Sequence, residues 1–250
     1  FASNVPHTPL MARAEDKARY AGRYDLGWDA LRQERFERQQ NIGVVGDDWE
    51  LPPPTPGVPA WDEAPPEQRT LLAAYMEIYA GMIDNLDQNI GRLIDTLTDM
   101  GLFENTLFVI TSDNGASSIG GAVGAANVVE MRVAKFEDPA LAQTMLDQGR
   151  LGGVDTNPAY PVGWANASNT PFRFYKRTPM NGGIRVPMIA CWPNRITDHG
   201  QIREGWVHAT DILPTFLGLL DKEYPDHFNG FPTRGLSGVS FSAMLTDADA

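Results

Sequence analysis

The stretch NTLFVIT, residues 105–111, empties directly into SDNG at 112–115, and this junction constrains the fold more than any other part of the chain. The run is short, nearly all apolar and rich in β-branched residues, as expected for a strand covered on both faces. A helical pattern precedes it. Leu72, Tyr75, Tyr79, Met82, Ile83, Leu86, Ile90, Leu93, Ile94 and Leu97 recur at helical spacing, and Gly101 is placed to stop that helix in a left-handed cap. A second apolar run, RVPMIAC at 185–191, follows the glycines of NGGI. Another helix is expected from Asp211 through ILPTFLGLL, with Pro214 tolerated in its first turn. Strands and helices alternating in this way predict an α/β fold with a largely parallel central sheet flanked by helices. Ligands of such sheets bind beyond the carboxyl ends of the strands, which is where SDNG stands.

The remaining segments are less regular. Residues 13–40 mix acidic and basic residues with Tyr20, Tyr24, Trp28, Leu31 and Phe36, a pattern for an amphipathic helical stretch with a solvated face. ELPPPTPGVPAWDEAPPEQR then spaces prolines too closely for regular helix or strand and reads as an extended surface loop. With 250 residues, 42% of them hydrophobic, the chain can bury a real core. A net charge of −12 argues against non-specific nucleic-acid binding, which draws on basic surface. No apolar run reaches the ~20 residues of a membrane span. One cysteine excludes an intrachain disulfide. The chain opens at Phe1 with FASNVPHTPL, which reads as the end of a strand followed by a loop, so the expectation is a single, incomplete domain over 1–250.

Four residues could carry chemistry. Asp113 and Asn114 offer a carboxylate and an amide carbonyl side by side, both hard oxygen donors suited to Ca²⁺ or Mg²⁺, and Gly115 lets the backbone turn away. Asp-Asn-Gly is equally a common turn sequence, and the tripeptide alone leaves both readings open. His7 stands between Pro6 and Pro9 in a stiff loop that would present its ring. Lys176, among aromatics in FRFYKRTPMNGGIRVP, could bring a cation to an anionic substrate or simply snorkel from an apolar surface. His199, His208 and His227 have no partner pattern.

PHTPL, IGRLIDTLTDMGLFENTLFVITSDNG, FRFYK with GGIRVP and a Trp-Pro strand end, and DILPTFLGLL follow in the order found in sulfatases. The chain resembles the middle and later part of a bacterial arylsulfatase, within the alkaline phosphatase superfamily. YDLGWDALRQERFERQQNIGVV and GWANASNTPFRFYK narrow the resemblance to the arylsulfatase-like branch. The resemblance implies an alkaline-phosphatase-like α/β sandwich and hydrolysis of sulfate monoesters, on a sulfated small molecule or sulfated glycan. It implies that Asp113 and Asn114 ligate an active-site calcium (magnesium being the other option), that His7 contacts the sulfate or leaving-group oxygen, and that Lys176 binds a sulfate oxygen. An exported, periplasmic or extracellular, protein is also implied.

The single cysteine sits in CWPNR, 191–195, which has the Cys-x-Pro-x-Arg spacing of the formylglycine motif. In the family that nucleophile opens a helix well before the PHTPL loop, whereas Cys191 ends a strand after the lysine motif and Asn194 stands where Ser is usual. Cys191 is therefore expected to be a packed strand residue. The formylglycine segment, the early Asp pair and a further Lys and His are not found in this sequence, so the chain is expected to carry half of a site and to be inactive alone. Two other readings remain: a phosphate or phosphonate monoester hydrolase of the same superfamily, and a non-catalytic sulfatase-like fragment.

Overall fold

A computed structural model describes residues 2–134 and 139–247, which divide into two compact units. The first comprises residues 1–96 and 111–188, the second residues 97–110 and 189–250.

In the first unit the charged stretch near the start makes two helices rather than one, α1 (Ala14–Ala18) and α2 (Gly27–Asn41). Gly22 and Gly27, at φ +76° and +82°, interrupt the helical path between them. α2 turns Trp28, Leu31, Arg32 and Phe36 inward. The long periodic segment forms one helix, α3 (Pro66–Asp99), as the spacing predicts. Its apolar stripe is used unevenly. Residues from Leu71 to Met82 are buried on nearly every face, whereas none beyond Met82 is buried. Four shorter helices complete the unit: α4 (Val128–Ala134), α5 (Pro139–Asp147), α6 (Val162–Ser168) and α7 (Asn181–Ile184).

Trp164 on α6 is fully buried at the centre of this core. Its ring meets Tyr24, Trp28 and Trp61 with centroids 5.6, 5.5 and 5.8 Å away, and Trp28 meets Trp61 edge-on at 4.7 Å. Edge-to-face packing of this kind suits the ring quadrupoles. The Trp164 indole donates to the Leu72 carbonyl of α3 at 2.7 Å, so the most apolar side chain of α6 still has its polar atom paired. The proline-rich segment is fastened to the same core. Trp28 donates to the Pro59 carbonyl, Arg32 to the Pro52 carbonyl, and the Trp61 amide to Asp29. Instead of an extended loop throughout, it contains a 3₁₀ turn at Trp61–Glu63 with Trp61 buried.

The second unit holds the strands. Thr111 and Met188 apart, β1 (Phe108–Thr111) and β2 (Met188–Cys191) belong to it and pair as a two-stranded sheet. α3 ends as expected: Gly101 sits at φ +68°, its N–H bonding the Thr98 carbonyl while Leu102 N–H bonds that of Leu97. α8 (Ile212–Leu219) follows a 3₁₀ turn at Ala209–Asp211 and takes Pro214 in its first turn. Asp211 accepts from His208 N–H and Val239 N–H, and those two bonds hold its carboxyl below the usual range. Thr215 is fully buried; its hydroxyl donates to the Asp211 carbonyl and accepts from Phe241 N–H. β3 (His227–Phe228) and β4 (Phe231–Pro232) form an antiparallel hairpin whose turn, Asn229-Gly230, has positive φ at both residues.

Two expectations are corrected here. Among the described residues the strands make two two-stranded sheets, and the largely parallel central sheet is not seen. NTLFVIT yields only four strand residues, Phe108 and Val109 half-buried, Ile110 and Thr111 exposed. Cys191 does end a strand, but it is exposed, not packed. Side chains alternate across a strand, so Cys191 shares a face with Ile189, and Ile189 is 60% exposed. No helix is long and apolar enough to cross a membrane among the described residues.

Two outcomes check this packing. Trp164→Phe removes the donor to Leu72 and opens space between α2 and α3; urea denaturation should show a loss of about 1–3 kcal/mol. In the native chain Cys191 should react with a disulfide reagent such as Ellman's at one thiol per chain, before any unfolding.

Candidate functional site

SDNG forms a tight loop directly after β1. Ser112 Oγ donates to the Asn114 carbonyl at 2.9 Å and Asn114 Nδ2 to the Gly115 carbonyl at 3.0 Å. With its Nδ2 so engaged, Asn114 keeps its Oδ1 for another partner. Asp113 is exposed, and its carboxylate makes no hydrogen bond or ion pair with the described residues.

The loop is pinned against the segment that carries Lys176. Gly115 N–H bonds the Gly183 carbonyl at 3.0 Å, and Lys176 N–H bonds the Ala116 carbonyl at 2.9 Å. These backbones approach closely because glycines face one another. A Cβ on Gly115 would stand 1.8 Å from the Gly182 carbonyl oxygen, and one on Gly182 would stand 2.2 Å from that of Phe174. The glycines of SDNG and NGGI are therefore two halves of one contact. The two segments are more than 50 residues apart in the chain.

The backbone around Lys176 is strained. Phe174 and Arg177, on either side of Tyr175 and Lys176, have φ of +68° and +77°. Such a conformation costs a bulky residue about 1–3 kcal/mol, and it persists only where the surroundings enforce it. Tyr175 is buried, which pushes its phenol above the ordinary range, with Thr55, Arg173 and Arg32 pulling the other way. The half-buried Lys176 ammonium has no hydrogen bond or ion pair to the described residues. The local charge is equally uneven. No Asp or Glu stands between Asp155 and Asp198, while Arg173, Lys176, Arg177, Arg185 and Arg195 do, in a chain of net charge −12. This segment is a basic island, and an anion is the ligand it suits.

His7 is exposed, in the loop expected to present it. Its Nδ1 lies 2.7 Å from the Thr8 carbonyl, so Nδ1 carries the proton and Nε2 is the nitrogen left for a ligand. The ring lines a cavity of about 310 Å³ with Asn4, Val5, Thr8, Pro9, Met11 and Met82. No hydrogen bond among the described residues ties His7 to Asp113 or to Lys176. The structure thus brings Asp113, Asn114 and Lys176 onto two bonded segments, with His7 on a separate loop of the same unit.

Comparison with known proteins gives this geometry its context. The sulfatase family model matches residues 1–222. The chain belongs to the sulfatase family. It is 36% identical over 226 residues to an uncharacterised sulfatase of Schizosaccharomyces pombe, covering 89% of this chain and 39% of that protein. It is 30% identical over 247 residues to an arylsulfatase of Klebsiella aerogenes, covering 98% of this chain and 50% of that enzyme. An N-acetylgalactosamine-6-sulfatase of Homo sapiens is 26% identical over 160 residues, 62% of this chain and 23% of the relative. The sulfatase chain thus spans half or less of the length of these relatives. The family implies an alkaline-phosphatase-like α/β fold and, in general, dependence on a metal.

Whether the residues present suit a metal can be judged from their chemistry. Asp113 and Asn114 are oxygen donors of the kind calcium takes, and both have free acceptor capacity. No group of three or more His, Cys, Asp or Glu side chains able to hold a metal ion occurs among the described residues. The pair fits as part of a ligand set, not the whole of one. The sequence alone does not point to Asn169, which bonds both loops, to Thr55, which accepts from Phe174 N–H, or to Asn166, which holds Thr55; its one signal is a pair of asparagines three apart in NASN.

The glycine contact yields a test. Gly115→Ala must push the loop off the Gly182 carbonyl, so unfolding should show a loss of about 1–3 kcal/mol, the ordinary cost of forcing extra atoms into a packed site.

Proposed function

We propose that this sulfatase chain supplies one half of an active site for sulfate monoesters, with Asp113 and Asn114 as oxygen ligands of a calcium ion and Lys176 and His7 as the groups that meet the ester. The observation that carries the reading is the hydrogen bond from Lys176 N–H to the Ala116 carbonyl. It joins the lysine segment to the loop of Asp113 and Asn114 within a chain of the sulfatase family. Bound calcium would supply positive charge for the sulfate oxygens and the nucleophile.

The chain's own residues account for the rest of the proposed chemistry. The Lys176 ammonium, without a hydrogen bond or ion pair among the described residues and half out of water, pairs with a sulfate oxygen more strongly than it would in bulk solvent. The acid-free segment that carries Lys176 favours the approach of an anionic ester. In its doubly protonated form His7, its Nδ1–H held by Thr8, donates Nε2–H to the leaving-group oxygen, and that proton goes to the oxygen as negative charge develops on it with cleavage of the S–O bond. No nucleophile is assigned among these residues, and Cys191 stays outside the chemistry.

The likeness to an arylsulfatase supports sulfate over phosphate. The comparison to make uses the full-length protein with 4-nitrophenyl sulfate and 4-nitrophenyl phosphate. Sulfate hydrolysis should dominate and need calcium. Lys176→Ala should lower kcat/KM about 10²–10³-fold, and Asp113→Ala at least as much. The 250-residue chain alone should bind calcium weakly and leave the aryl sulfate intact, because one carboxylate and one amide make a poor calcium site. Preference for the phosphate ester, or full activity in both variants, would overturn the reading.

A further inference from the structure

We infer that Asn169 is a positioning residue that locks the Asp113–Asn114 loop and the Lys176 loop into one rigid unit, an inference that rests on the site proposed above. Asn169 caps the C-terminal end of α6, two turns from the fully buried Trp164 side chain's helix start. Its Oδ1 accepts from Ala116 N–H at 2.8 Å, one residue past the SDNG loop. Its Nδ2 donates to the Phe174 carbonyl at 2.9 Å, two residues before Lys176. Only this orientation of the amide satisfies both contacts, since the flipped amide would set donor against donor and acceptor against acceptor.

Both backbone groups of Asn169 are also used. Its N–H bonds the Ala165 carbonyl and its carbonyl accepts from Phe172 N–H, so the residue has no freedom to follow either loop if one moves. A second asparagine of the same helix supports the first. Asn166, buried, accepts on Oδ1 from the Thr55 hydroxyl and the Thr55 N–H, each at 3.2 Å, and the Thr55 oxygen in turn accepts from Phe174 N–H at 2.8 Å. Phe174, at φ +68°, therefore has its N–H and its carbonyl each held by a side chain from elsewhere. Those two bonds hold the strained turn that places Lys176. Asn169 reaches further than Thr55 because it alone holds Ala116 as well. With the Lys176 N–H on the Ala116 carbonyl, three hydrogen bonds and the backbone from Phe174 to Lys176 close a ring that ties the two loops together.

Positioning and mere stability separate experimentally in the full-length protein. Asn169→Ala should speed amide exchange at Ala116 and Lys176 at least about 10-fold while Met76, in the core of α3, keeps its protection. It should lower kcat for an aryl sulfate about 10–100-fold with KM changed far less, as expected when supporting contacts around a site are lost. Asn169→Asp keeps the acceptor for Ala116 but turns a carboxylate toward the Phe174 carbonyl. Ala116 should stay slow to exchange in that variant while kcat remains low. Equal loss of protection at Ala116, Lys176 and Met76 in both variants, or an unchanged kcat with Ala116 and Lys176 freed, would overturn the inference. Lys176→Ala and Asp113→Ala run beside them tell the two ideas apart. If both leave turnover intact the site reading fails, and the exchange data still decide whether Asn169 clamps the loops.

Discussion

The first unit depends on one buried indole. At about 25 cal/mol per Å², a tryptophan that hides ~200 Å² of surface contributes ~5 kcal/mol, several times the ~1 kcal/mol net of an ordinary hydrogen bond. Trp164 is that residue. Tyr24, Trp28 and Trp61 close around its ring, while its N–H reaches the Leu72 carbonyl of α3. One side chain thereby links α2, α3, α6 and the proline-rich segment. With Trp164 fixed, α6 has no freedom to rotate, and the residues on its later turn are delivered to fixed places.

That delivery connects the core to the chemistry. Asn166 and Asn169 lie two and five residues after Trp164, and both point their amides at loops rather than at solvent. A short helix with a heavy apolar anchor and polar residues at its far end can set distant loop backbones without itself touching a ligand. The strain at Phe174 and Arg177 follows from the same arrangement. Hydrogen bonds from Thr55 and Asn169, worth roughly 1 kcal/mol each, offset a positive-φ cost of similar size. The turn leaves Lys176 half-buried and, among the described residues, without a hydrogen bond or ion pair, and Asp113 on the bonded loop likewise has none.

The second unit is built differently. Its buried polar anchor is Thr215, with Asp211 beside it gathering backbone N–H groups from His208 and Val239. Its strands are short and their outer faces open, which explains why Cys191 and Ile189 are exposed although both sit in an apolar run. An apolar run predicts a strand because β-branched residues favour the extended backbone. It predicts burial only if other elements cover the faces, and that is not a property of the run.

Local signals were legible in the sequence. The spacing from Leu72 to Leu97 and Gly101 gave the long helix and its stop, Asp211 and Pro214 marked the start of the last helix, and both strands fell within their apolar runs. Each rests on neighbours within a turn or two, where period and backbone preference suffice. Family membership was legible too, because ordered motifs survive in the chain itself. Tertiary structure alone decided which half of α3 is buried, that the faces of β1 and β2 are open, and that Gly115 and Gly182 are two sides of one backbone contact. It alone made Asn169 a clamp. An asparagine in NASN carries no mark of its partners, since Ala116 lies 53 residues away in the chain and becomes a neighbour only when the core around Trp164 has closed.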